Sequence, residues 1–146
     1  MSTSFHVRIA RPTADLPRTE RMYRLGLGLS VLDRFENHEG FDGVMLGYEH
    51  AHFHLEFTHR RDHPIAARPN LDDLLVLYVA SAPEWRTMWT NMIAAGFRRV
   101  PSFNPYWESH GCTFEDLDGY RVVLWNEEWK AAASDRAALL RPKVLQ

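Results

Sequence analysis

The feature that most limits what this chain can become is a pattern of strands, helix and turns that runs through once and then runs again. Residues 5–11 (FHVRIAR) alternate apolar with polar or small side chains, as a half-buried strand does, with Phe5, Val7 and Ile9 on one face. Pro12 and Thr13 break that strand, Asp15 is placed to cap a helix over residues 16–25, and Gly26 and Gly28 end it. Strands are expected over 30–35, 43–49 and 52–58. In the last of these Phe53, Leu55 and Phe57 share one face, and His52, His54, Glu56 and Thr58 share the other. Residues 59–70, polar and containing Pro64 and Pro69, read as a linker that includes His59 and His63. The order then returns: a strand over 74–80, a helix over 84–95 closed by Gly96, and strands over 97–100, 112–116 and 120–126. Asp118-Gly119 marks a tight hairpin between the last two.

Individual residues repeat along with the elements. Pro17 and Tyr23 match Pro83 and Trp89 at an offset of 66, and Gly28, Phe35 and Gly43 match Gly96, Phe103 and Gly111 at an offset of 68. A near-constant offset with matching element order points to an internal duplication. The expectation is an α+β fold of two tandem βαβββ modules, one over residues 5–58 and one over 71–126. The two would form a curved mixed sheet with a cleft on one side and helices on the outer face. Residues 127–146 form a tail with a short helix over 131–140.

At 146 residues this is the size of one domain, able to bury a core without disulfides or a structural metal. A net charge of −2 provides no basic field, so nucleic acid and acidic membrane surfaces are excluded as expected partners. No stretch reaches the roughly 18 to 20 apolar residues of a membrane helix, and no cleavable leader is recognised. Cys112 is the sole cysteine, which rules out an intrachain disulfide and, with those two absences, places the expected compartment in the cytoplasm.

The run HVRIARPTADLPRTERMYRLGLGL resembles the opening of vicinal-oxygen-chelate proteins, the superfamily of glyoxalases, bleomycin-resistance proteins and extradiol dioxygenases. HLEFT (54–58) resembles the fourth strand of that family's first half, and LDGYRVVLWN (117–126) resembles its closing hairpin. The resemblance implies a homodimer, and in metal-dependent members a histidine on each first strand and a glutamate on each fourth. Carried over, the first half keeps His6 and Glu56, whereas Leu74 and Val123 stand where the second pair would be. Two aliphatic side chains cannot ligate a divalent ion, so the four-ligand site is broken. His54 leaves the same strand face as Glu56, so His6, His54 and Glu56 could still offer two imidazoles and a carboxylate. Alternatively, His54 and Glu56 are polar cleft residues that bind each other or water. The crowded histidines His50, His52, His59 and His63 are expected in solvent.

Alternation also proposes a cleft lining. If Val7 and Ile9 pack under a helix, His6, Arg8 and Ala10 face the cleft with His54 and Glu56. In the second half Leu74, Val76 and Tyr78 face inward, as do Arg121, Val123 and Trp125. Arg8 and Arg121 would either await an anionic ligand group or pair with protein carboxylates. Tyr106 and Trp107, on an aromatic loop, would form a lid over a planar ligand or plug the cleft end. Two functions remain open. One is small-molecule binding without a full metal site. The other is a metal-dependent lyase, dioxygenase or transferase using His6 and Glu56, with Glu56 a possible general base.

Overall fold

The computed structural model describes residues 4–131, so the expected helix over 131–140 lies outside the described residues except for its first position. Strand β1 (Val7–Pro12) leads into helix α1 (Leu16–Leu27), followed by β2 (Ser30–His38), β3 (Phe41–Gly47) and β4 (Phe53–Arg60). The second module repeats this with β5 (Leu74–Tyr78), α2 (Ala82–Ala94), β6 (Arg98–Val100), β7 (Gly111–Glu115) and β8 (Arg121–Trp125). A single 3-10 turn, Pro105–Glu108, interrupts the loop between β6 and β7. The strand orders are β1-β4-β3-β2 and β5-β8-β7-β6, the same in both modules. In each sheet the first strand runs parallel to the last, and the remaining pairs are antiparallel. The fold is thus the α+β arrangement of two βαβββ modules.

Local chemistry explains the helix boundaries. Asp15 caps α1 by accepting from the Arg18 amide, and Ser81 caps α2 by accepting from the Glu84 amide. Gly28, not Gly26, ends α1: it sits in the left-handed region at φ 70°, and its amide returns to the Tyr23 carbonyl. Gly26 lies inside the helix for a different reason. A Cβ there would stand 2.9 Å from Phe97 Cε2 and 3.0 Å from Met92 Sδ, so glycine permits the two modules to approach.

Both sheets press one face onto a common core. Leu55, Phe57, Val44 and Leu46 from the first meet Cys112, Phe114, Val122 and Leu124 from the second, with Met22, Tyr23, Met92 and Phe97 between them. Cys112 is the buried thiol expected. Register fixes the opposite faces: Arg8 lies beside His54 and Ala10 beside Glu56, while Tyr78 lies beside Trp125 and Thr113 beside Val123. These faces turn away from the core and carry the candidate site.

Two sequence expectations are corrected here. Val7 and Ile9 do point to the helix side, but they remain 43% and 37% exposed. α1 packs over β3 and β4, so the edge strand β1 lies beyond its cover. His59 belongs to β4 rather than to a linker, and its Nδ1 lies 3.1 Å from the Thr13 carbonyl. Among the described residues no helix is long and apolar enough to cross a membrane.

Candidate functional site

The parallel pairing of β1 with β4 assembles four polar side chains on the outward face of the first module. Arg8 Nε donates to His54 Nε2 at 2.8 Å, and Arg8 Nη1 lies 3.3 Å from Glu56 Oε2. His54 Nδ1 in turn lies 2.6 Å from His6 Nε2. A guanidinium only donates, so His54 Nε2 must accept; its proton therefore sits on Nδ1 and is given to His6. The chain Arg8, His54, His6 thus fixes the tautomer of His54, with its proton on Nδ1. Burial pushes the His54 imidazole below the ordinary histidine range, and the charge of Arg8 pushes the same way. The group is open to solvent chiefly at Arg8, whose side chain is 47% exposed, against 14% for Glu56.

The second module's outward face is closed. Trp125 is 2% exposed, stacked on Tyr106 with ring centres 4.9 Å apart and flanked edge-on by Trp107 and His110. The loop holding these rings is pinned by Ser102 Oγ to Thr113 Oγ1 at 2.6 Å and by Glu108, which accepts from the Ser102 amide at 2.7 Å. Tyr106 and Trp107 thus lie against Trp125, with Tyr106 itself 59% exposed. Arg121, expected as a second anion anchor, is 8% exposed and committed to Glu115 at 3.1 Å and the Pro101 carbonyl at 3.3 Å. Burial of Trp125 and the pairing of Arg121 remove both from the open surface. Tyr78 remains 43% exposed and borders an apolar hollow of about 560 Å³ with Leu27, Tyr48 and Met88.

The structure therefore brings His6, Arg8, His54 and Glu56 together but keeps them apart from Tyr78, Tyr106, Trp107, Arg121 and Trp125. Among the described residues no hydrogen bond or ring contact joins the two sets. Sequence reading missed Ser102 and Thr113, which hold the loop, and Glu115, which holds Arg121. Glu115 and Arg121 stand opposite each other across β7 and β8, one residue out of the register that counting outward from Asp118-Gly119 gives, which would set Asp116 opposite Arg121.

A metal does not fit the cluster. Leu74 and Val123 line the second face where ligands would be required, and Val123 is fully buried. No group of three or more His, Cys, Asp or Glu among the described residues converges on a cation position. The lone pairs of His54 Nε2 and His6 Nε2 are already used within the protein.

A groove of about 660 Å³ opens elsewhere, between α1 and strands β2 and β3. Five of its charges pair with one another: Glu20 meets Arg34 at 2.9 Å and Arg24 at 3.8 Å, and Asp42 takes Arg61. That self-pairing makes it a weaker candidate than the open Arg8 cluster, despite its volume.

Two family models match the chain, the YycE-like N-terminal domain over residues 7–58 and the YycE-like C-terminal domain over residues 72–126. The YycE protein of Bacillus subtilis (strain 168) is 43% identical over 122 residues, spanning 84% of this chain and 88% of its own. A 2.0 Å crystal structure of Bacillus subtilis YycE superimposes with a TM-score of 0.81 at 40% identity, covering 90% of this chain and 95% of that one. Glyoxalase I of Leishmania major shares the fold, with a TM-score of 0.66 at 20% identity over 86% of this chain and 88% of that one. So does TnmS3, an antibiotic binding protein from Streptomyces sp. CB03234, with a TM-score of 0.58 at 16% identity over 86% and 97%.

Proposed function

Since the chain belongs to the YycE-like family of the vicinal oxygen chelate superfamily, we propose that it binds a small molecule on the outward sheet face of its first module, without a metal. The observation that supports this reading is the open cluster of Arg8, His54, His6 and Glu56: a charge and several oriented polar groups on a rigid sheet, reachable from solvent. Such groups set the orientation of a ligand whose apolar part supplies the contact area.

One open sheet face is too shallow to enclose a ligand, and we propose that a second copy of the chain supplies the cover. β1 is a sheet edge, and along it Phe5, Val7 and Ile9, on the face opposite the cluster, are exposed by 71%, 43% and 37%, so a second copy that meets this edge would reach the border of the cluster's face. An apolar exposed edge strand is normally paired or covered. The alternative, proton transfer by Glu56, would depend on Oε1, the carboxylate oxygen left free of protein hydrogen bonds among the described residues.

The test is a thermal-shift screen of chelator-treated protein against matched aromatic acids and their neutral amides. The acids are expected to raise the melting temperature and the amides to leave it unchanged. No stabilising compound, or stabilisation that appears only on adding divalent metal, would remove the metal-free binding reading.

A further inference from the structure

We propose that Arg8 is the resident cation of the site: it occupies the acceptor atoms a divalent ion would need and turns its free N–H groups toward the carboxylate of a ligand. This rests on the reading that a small molecule enters at the first module's open face.

A metal bound by His54 and Glu56 would need the lone pair of His54 Nε2 and an oxygen of Glu56, each at about 2.0 to 2.2 Å. Arg8 takes the His54 lone pair through Nε at 2.8 Å and one of the two Glu56 oxygens, Oε2, through Nη1 at 3.3 Å, so a metal there would be left with Oε1 alone. His54 cannot offer its other nitrogen, because Nδ1 carries the proton given to His6 Nε2. An arginine does not lose its charge in a protein, so its positive charge is permanent, and a second cation at the same atoms would be repelled. The positive centre is therefore covalently fixed to β1, with the short side chain of Ala10, two residues on along the same face, opposite Glu56.

The same geometry defines what the site receives. Arg8 commits two N–H groups to His54 and Glu56 and has others left on a side chain that is 47% exposed. A planar guanidinium fork is matched by a carboxylate, which takes two parallel hydrogen bonds. His54 and Glu56 hold the guanidinium in place before a ligand arrives. An arginine that only neutralised Glu56 would not need its Nε on an imidazole with a fixed tautomer.

The experiment follows the histidine ring nitrogens by 15N NMR in the parent, Arg8→Ala and Arg8→Gln. In the parent, His54 is expected in the Nδ1–H tautomer, and zinc should leave its ring signals in place while the exposed His50 and His52 respond. In both variants zinc should move the His54 Nε2 signal at about tenfold or more lower concentration. His54→Ala in the Arg8→Gln background should return the Glu56 side-chain signal to the parent's indifference to zinc. A parent whose His54 moves with zinc as readily as the variants, or variants with no gain, would overturn the proposal. For the anion, benzoate should shift residues 8–10 and 54–56 in the parent, about tenfold more weakly in Arg8→Lys and not at all in Arg8→Gln. Absence of benzoate shifts in the parent, or equal shifts in Arg8→Gln, would overturn the assignment of a carboxylate. The zinc arm needs no organic ligand, so success there with a failed compound screen would sink the binding function and leave the resident cation standing.

Discussion

Tyr23→Phe removes one oxygen from the centre of the molecule and should cost far more than its size suggests. Tyr23 is fully buried on α1, and its hydroxyl donates to Asp116 Oδ2 at 2.7 Å, across the boundary between the modules. Asp116 is 7% exposed; its Oδ1 takes the Asp118 and Tyr120 amides at 2.9 Å, so Tyr23 is the partner of Oδ2. A hydrogen bond to a charged group is worth about 1.5 to 3 kcal/mol, and a buried oxygen left unpaired incurs its full desolvation cost. The expected loss is about 2 kcal/mol near pH 7, or roughly 5 to 10 °C in Tm for a chain of this size. The pH dependence has a definite sign. Burial holds the Asp116 carboxyl above the ordinary carboxylate range, while the Tyr23 hydroxyl pulls it down. A raised carboxyl favours folding most at low pH and loses that contribution as pH rises through its folded value. Without Tyr23 the carboxyl rises further, so the variant's deficit should be largest near neutrality and shrink toward pH 4. Urea titrations of parent and Tyr23→Phe at both pH values provide the comparison. A deficit under about 0.5 kcal/mol at pH 7, typical of ordinary surface changes, or one equal at both pH values, would refute the reasoning.

Gly26→Ala should lower stability by about 1 kcal/mol in denaturant titration. The overpacking of Phe97 and Met92 costs about 1 to 3 kcal/mol and exceeds the gain of about 1 kcal/mol in helix propensity. Because His54 titrates below its ordinary value in the folded chain, its contribution to stability is complete above pH 6.5 and is lost as pH falls through that region; His54→Gln should flatten the acid limb of the stability profile. Tyr106→Ala should expose Trp125 and shift tryptophan emission to the red, at a loss of about 1 kcal/mol from the missing stack. Sedimentation equilibrium should give twice 17.0 kDa for the parent and 17.0 kDa for Val7→Asp, with a parent of 17.0 kDa contradicting the second copy.

The period of two along β1 and β4 made the cluster legible: it put Arg8, His54 and Glu56 on one face, and the register confirms that placement. Alternation assigns a face but does not say what covers it. Val7 and Ile9 face the helix side, yet α1 does not reach the edge strand, and helix placement is a property of the packed whole. Trp125 likewise shows its place on the outward face in the sequence, while its burial depends on a loop from residues 101–110 folding back over it. Arg11 shows the limit most clearly. Alternation puts it on the face of Phe5, Val7 and Ile9, but only the structure shows that, unlike them, it is 8% exposed with its guanidinium 4.4 Å from the Tyr120 ring centre. Gly26 carried no sequence signal that distinguished close approach from helix termination, since glycine serves both.

Amide NMR mapping of a stabilising carboxylate ligand on chelator-treated protein tests the central claim most directly. Ligand-induced shifts centred on residues 6–10 and 53–58, unchanged by adding or removing divalent metal, are the result expected for a metal-free site built on Arg8. Shifts centred on the groove at Glu20, Arg34 and Phe35, or shifts that require added metal, would contradict it.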